Sequence, residues 1–293
     1  MRVKRKNNLR NRTSVSIIEE LMDPREIKFL HAFNSIRGVG PETLRLFKNH
    51  FENYENAWRA SESDMLSCGV AASIAEAVTR QRPLLNPDRE LERVAAAAIW
   101  LVTDEDPRYP AHLREIPKAP LVIYGKGEVG AFEKTATQPT IAVVGTRRPT
   151  AYGLEMTERL TARLVDAGVA IVSGLAVGID TRAHRSALDA KGKTIAVLGS
   201  GIDRESLFPP ENTGLADRIA ESGGAVVSEY APGTPGLKEH FPQRNRIISG
   251  LSQGVLVVEA REKSGALITA RLALEQNRDV FAVPGSIISP TSA

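Results

Sequence analysis

The stretch that most constrains this chain runs from Ile141 to Gly153. An apolar run, Ile141-Ala142-Val143-Val144, ends in Gly145, and a helical pattern begins near Tyr152. Strand, glycine turn, helix is the order that opens a parallel α/β sheet, where ligands bind beyond the carboxyl ends of the strands. The turn carries Arg147 and Arg148 rather than further glycines. Backbone N–H groups near a helix start favour an anion, and two guanidiniums beside them favour a phosphate. The same two arginines also suit a solvated loop, so the turn alone leaves both readings open.

Downstream the pattern repeats. Residues 141–144, 169–172, 194–198, 225–228, 255–258 and 280–283 read as strands, and 152–167, 181–190, 212–222 and 266–276 as helices, with Asp180 as the cap of the second. Near-continuous apolar strands between amphipathic helices indicate a parallel sheet covered on both faces. Upstream, residues 101–127 hold Pro107, Pro110, Pro117 and Pro120, which predicts an extended wrap with one strand at 121–124. Residues 23–80 show helical periodicity. Asp23-Pro24 reads as a cap with proline at the first helical position. Ile36-Arg37-Gly38-Val39-Gly40-Pro41 resembles a helix-hairpin-helix turn, and Cys68-Gly69-Val70-Ala71 a weaker copy with alanine at the second glycine. Such hairpins either present N–H groups to a phosphate or serve only packing and partner contact. The expected division is a basic flexible arm at 1–22, a helical domain at 23–100 and a sheet domain at 101–293.

Composition excludes several classes. No run of about 18 apolar residues occurs, so no membrane insertion is expected. The start is basic, with Arg2, Lys4, Arg5, Lys6, Arg10 and Arg12, but lacks the apolar core of a secretory signal. A lone cysteine, Cys68, rules out an internal disulfide framework and fits a reducing cytoplasm. The net charge of +3 says little about nucleic acid.

Familiar catalytic patterns are missing. Gly-x-Gly-x-x-Gly does not follow the first strand, and Gly192-Lys193-Thr194 leads into a strand with Ala187 where a P-loop needs glycine. The five histidines lack zinc spacing with cysteine, so no metal and no cofactor are expected. Asp180 and His184, four apart, suit either a metal or proton pair or a cap with an intrahelical bond. Glu229 and Glu259 each end a strand, where they either form a crevice carboxylate pair or anchor loop N–H groups.

What is present lies at strand ends: Gly145 to Arg148, Ser173-Gly174 through Gly178 to Asp180, Gly199-Ser200-Gly201, the loop expected at Phe241-Pro242-Gln243-Arg244-Asn245-Arg246, and Lys263-Ser264-Gly265-Ala266. Glycine- and serine-rich loops allow close backbone approach, and Arg147, Arg148, Arg244, Arg246 and Lys263 add charge to that edge. Such a crevice suits a sugar–phosphate backbone better than base reading, for which aromatic platforms look scarce.

Val144-Gly145-Thr146-Arg147, Ser173-Gly174-Leu175-Ala176-Val177-Gly178-Ile179-Asp180 with Ala183-His184, Phe241-Pro242-x-Arg244-Asn245-Arg246-Ile247-Ile248, Ser264-Gly265-Ala266-Leu267-Ile268-Thr269-Ala270 and Val283-Pro284-Gly285 together resemble the DprA/Smf family of DNA-processing proteins. The resemblance implies an extended Rossmann-like domain behind a small helix-hairpin-helix or SAM-like domain. It further implies a homodimer without catalytic residues that binds single-stranded DNA in natural transformation, protects it and helps load the recombinase RecA. Carried over by motif, the DNA or phosphate site comprises Gly145, Arg147, Arg148, Ser173, Gly174, Gly178, Arg244, Asn245, Arg246, Lys263, Ser264 and Gly265. Arg147 is the leading phosphate contact. Arg244 and Arg246 serve either DNA or the bracing of loops or dimer. Two features depart from the family pattern. Phe208-Pro209 is followed by Pro210 and Glu211 rather than a basic residue, and a further Leu-Ile segment and winged-helix-like tail are expected to be absent. The competing expectation is a Rossmann-like enzyme acting on a nucleotide or nucleoside phosphate through Glu229 or Glu259.

Overall fold

Residues 24–285 are described in a computed structural model. The basic arm and Asp23 lie outside the described residues. Eight strands form one sheet in the order β1-β2-β6-β5-β4-β3-β7-β8. They are β1 (Trp100–Thr103), β2 (Val122–Gly127), β3 (Thr140–Val144), β4 (Ala170–Ser173), β5 (Thr194–Leu198), β6 (Ala225–Ser228), β7 (Gly254–Val257) and β8 (Asp279–Ala282). The strands from β3 to β8 run parallel to one another, as their apolar runs predict. β2 pairs antiparallel with both β1 and β6. The sheet is therefore mixed, and the expected proline-rich wrap is instead a wide antiparallel connection with a strand at each end. The connection is fastened by the Tyr109 hydroxyl on the Pro120 carbonyl at 2.7 Å and by Arg114 Nε on the Asp104 carbonyl at 2.7 Å. These bonds replace backbone pairing that the prolines cannot supply.

Strand alternation divides the core. Ala142 and Val144 of β3 point to one face with Ile247, Ile248 and Val255, whereas Val143 points to the other with Ile179, Ala183 and Ala187. The helices that cover these faces are α9 (Ala151–Asp166) and α10 (Ile179–Asp189) on the Val143 side, and α12 (His240–Gly250) and α13 (Gly265–Glu275) on the other. Between them in sequence lies α11 (Thr213–Glu221), over β5 and β6. The short helices α7 (Ala111–Arg114) and α8 (Val129–Glu133) lie in the connections around β2. The chain moves outward from β3 through β4 and β5 to β6, then returns to place β7 and β8 on the other side of β3. Strand order reverses between β3 and β7, and in such sheets the ligand crevice opens there.

Among the described residues, six α-helices precede the sheet: α1 (Pro24–Asn34), α2 (Pro41–Phe51), α3 (Tyr54–Arg59), α4 (Glu62–Ser67), α5 (Ala72–Gln81) and α6 (Pro87–Ala96). Both glycine hairpins form. Gly38, between α1 and α2, has φ +95°, and Gly69, between α4 and α5, has φ +89°, a region that favours glycine. Phe33, Phe47, Tyr54 and Met65 share one core with Leu101, Leu121 and Tyr124 of the sheet edge. The His31 ring lies 2.7 Å from the Tyr124 hydroxyl, and Asn34 Nδ2 donates to the Glu229 carbonyl at 2.9 Å. Burial holds the His31 pKa down to about 4. The first hairpin thus abuts the sheet beside the end of β6.

Candidate nucleic-acid interface

The β3–α9 loop is gripped from two sides. Thr146 donates its N–H to the Glu259 carbonyl at 2.7 Å, and the Ile179 N–H donates to the Thr146 carbonyl at 3.2 Å. A Cβ at Gly145 would lie 2.6 Å from Ile179 Cγ1, and one at Gly178 would lie 2.5 Å from the Thr146 carbonyl oxygen. Gly178 also has φ +92°. Both glycines are set by close backbone approach. The loop so fixed leaves Arg147 and Arg148 exposed. Among the described residues neither guanidinium has an acidic partner within ion-pair distance. Arg147 sits over the Phe241 ring, 5.7 Å from its centroid, a cation–π geometry.

Arg244 and Arg246 occupy different ground. Residues 240–250 form α12, not the expected loop. Pro242 falls in its first turn, where proline costs no helical hydrogen bond. Arg244 is 4% exposed, and its guanidinium donates to the Gly174 carbonyl at 2.8 Å and to the Val197 carbonyl. It ties the ends of β4 and β5 together. Burial lowers its pKa to about 10 while Asp180 opposes that shift, so it remains charged near neutrality. Asp180 is not the predicted cap. It is the second residue of α10, and its carboxylate accepts the Gly174 N–H at 3.1 Å and the Ala176 N–H at 3.3 Å. Burial raises its pKa against these bonds and Arg244. Gly174 is pinched between the two charges: a Cβ there would lie 2.8 Å from both Arg244 Nη2 and Asp180 Oδ2. Arg246 makes a bidentate pair with Glu229 at 2.6 and 2.5 Å and also donates to the Lys118 carbonyl at 3.0 Å.

The remaining expected residues divide the same way. The Ser173 hydroxyl is buried and donates to the Val143 carbonyl at 2.7 Å. Asn245 is buried and donates to the Gly265 carbonyl at 3.2 Å, fixing the start of α13. Ser264 is the N-cap of α13 but its hydroxyl makes no hydrogen bond. Lys263 and Gly265 are exposed, Lys263 at φ +60°. Asp180 and His184 belong to no cluster of three potential metal ligands among the described residues. His184 instead faces the Thr194 hydroxyl at 2.7 Å, and burial with Arg244 nearby pushes its pKa down to about 3. Glu259 anchors an N–H, accepting from Thr150 at 2.9 Å, whereas Glu229 is committed to Arg246. Neither carboxylate is free.

Sequence reasoning missed an aromatic strip. Phe208 and Phe241 lie 5.4 Å apart, and Tyr230 stacks on His240 at 4.1 Å and 18°. Phe208 is 41% exposed. Phe241 lies against Gly199 at the end of β5. Lys238, exposed two residues before α12, was also passed over. Along the strand ends the order is Lys263 near β7, Arg147 at β3, Phe241 and Phe208 at β5, and Tyr230 at β6.

The fold and this edge define a Rossmann-like α/β protein whose crevice carries cations without acidic partners among the described residues, an exposed Phe208 ring and half-buried Phe241 and Tyr230 rings, in place of a nucleotide fingerprint. The family model for DNA recombination-mediator protein A matches residues 100–293, and the chain belongs to that family. It is 44% identical over 256 residues to Protein Smf of Synechocystis, covering 87% of this chain and 64% of that protein. It therefore spans about two-thirds of that relative's length. Among solved structures it is similar to DNA processing protein A of Streptococcus pneumoniae (34% identity, TM-score 0.74, 90% of this chain and 89% of that one). It is also similar to DNA processing protein A of Helicobacter pylori, described for its single-stranded DNA binding mode (31% identity, TM-score 0.57, 64% and 83%). None of these relatives is named for an enzymatic reaction. No described helix is long and apolar enough to cross a membrane.

Proposed function

We propose that the chain binds single-stranded DNA along the strand-end edge, with Arg147 as the central phosphate contact. The observation that carries this reading is the pairing state of the cations. Arg147, Arg148, Lys238 and Lys263 are exposed, without acidic partners among the described residues, and lie along one edge with the Phe241 and Phe208 rings. Free cations beside flat rings suit a flexible strand, whose phosphates and bases both find partners. In this reading Gly145, Gly174 and Gly178 shape the edge, Ser264 and Gly265 border it, and Ser173, Arg244, Asn245 and Arg246 brace it from within. The likeness to a DNA processing protein with a described single-strand binding mode supports the same conclusion.

The finer reading follows the family. The chain acts in DNA processing during natural transformation, in the cytoplasm, shielding incoming strands and passing them to RecA. It works as a homodimer through α13 and β8, where Leu267 (39%), Ile268 (39%), Leu274 (63%) and Phe281 (50%) leave an apolar face exposed. The nucleotide-enzyme reading loses its acid and base, since Glu229 and Glu259 are both held by other groups.

Replacing Arg147 with alanine tests the site. Affinity for labelled oligonucleotides of different sequence falls alike, and the slope of log K against log salt shrinks by about 0.7, one phosphate on a single strand. Unchanged affinity and slope would remove Arg147 from the site.

A further inference from the structure

A sheet of this topology presents its first helix start to a ligand phosphate. Here α9 begins at Ala151, with Thr150 as its N-cap, and an anion is already there. The Glu259 carboxylate accepts the Thr150 N–H at 2.9 Å and approaches Thr150 Oγ1 at 3.4 Å, while Thr150 Oγ1 accepts the Gly153 N–H at 3.1 Å. Gly153 makes the room: a Cβ at that position would lie 2.3 Å from Glu259 Oε2. Glu259 is 9% exposed, and among the described residues no lysine, arginine or histidine lies within ion-pair distance of it. The bonds at its carboxylate come from Thr150, the residue that caps α9, so it lies beside the helix start where a phosphate would approach. The carboxylate comes from the end of β7, across the point where strand order reverses, so it fills the crevice from the opposite wall.

We infer that Glu259 is an internal stand-in for a phosphate, which denies the α9 N-terminus to mononucleotides and makes the crevice selective for a strand running across the edge. This rests on the single-strand reading above and adds the residue that sets its specificity. A nucleotide binding in the usual Rossmann manner would place its phosphate against Thr150 and Gly153, where it would meet a carboxylate. A strand held by Arg147, Lys238 and Lys263 needs no phosphate at that position. Glu259 also positions the arginine loop, since its carbonyl takes the Thr146 N–H at 2.7 Å while its carboxylate takes that of Thr150. Both ends of the loop are tied to one residue.

The test measures binding of thymidine monophosphate and of inorganic phosphate by calorimetry, beside anisotropy with a labelled oligothymidylate. The wild type and the variants Glu259→Ala and Glu259→Gln are compared, with circular dichroism as the check on folding. Wild type binds neither small anion at millimolar concentration. Glu259→Ala gains affinity for both by about tenfold or more, the scale of an anion at a helix start. Its melting temperature rises with added phosphate when that of the wild type does not. Glu259→Gln keeps the side-chain shape and the Thr150 bond but loses the charge, and it gains less. If Glu259→Ala does not fold, Glu259→Gln decides: a gain over wild type supports the inference, and equality overturns it. A folded Glu259→Ala with no gain overturns it, as does a wild type that already binds the monophosphate as tightly as the variant. Failure of the wild type to bind oligothymidylate counts against the proposed function instead, because the anion comparison stands without it.

Discussion

Two sets of arginines, a hundred residues apart in sequence, meet the same sheet edge with opposite outcomes. Arg147 and Arg148 sit on a loop that the backbone of Glu259 and Ile179 has already satisfied, so their guanidiniums face solvent. Arg244 and Arg246 sit on the inner side of α12, where the carbonyls of Gly174 and Val197 and the carboxylate of Glu229 consume their donors. A guanidinium's role is set by the acceptors around it. Five donors must be satisfied when it is buried, and none is committed when it is exposed. The inner pair holds the strand ends in register so that the outer pair can be presented on a rigid edge.

The largest effect should come from Arg244→Ala. It leaves buried Asp180 without its opposing charge and two carbonyls without donors, a loss of about 3–5 kcal/mol in a denaturant melt. A loss below about 1 kcal/mol would break the comparison. Arg246→Ala strands the largely buried Glu229 and should cost about 2–3 kcal/mol. Acid should act on the braced interior rather than the edge. His31 and His184 are neutral when folded, with pKa values pushed down to about 4 and about 3 from an ordinary 6.5. The unfolded chain takes up those protons first as pH falls below 6.5. Stability is therefore full above 6.5 and declines toward the folded values, by about 1.4 kcal/mol per pH unit for each histidine. His31→Gln should remove its own share of that slope, about 1.4 kcal/mol per pH unit; an unchanged slope would show that His31 is charged when folded. The smallest effect on stability belongs to Arg147→Ala, within about 0.5 kcal/mol of wild type, even as its binding falls.

The contrast between the two sets also marks where sequence alone could and could not see. The β3 turn was legible because an apolar run ending in Gly145 has few alternatives. The expected loop at 241–246 was wrong because Pro242 reads as a breaker and the buried side of α12 carries Arg244, Asn245 and Ser249, which hide the apolar period. β1 was missed because four residues between a helix and a proline-rich stretch give little signal, and its place depends on pairing with β2. The aromatic strip was invisible for a related reason: Phe208, Tyr230 and Phe241 come from three segments that only the sheet order brings together. For Glu259 the sequence left both a crevice carboxylate and an anchor of loop N–H groups open, and only the fold shows that it holds the residue capping α9.

The most direct test of the account is a salt series of fluorescence anisotropy on the intact protein with a labelled single-stranded oligonucleotide, competed by duplex and by mononucleotide. Binding that weakens steeply with salt, and that duplex and mononucleotide displace poorly, is the predicted result. Absence of oligonucleotide binding, with tight capture of the mononucleotide, would contradict it.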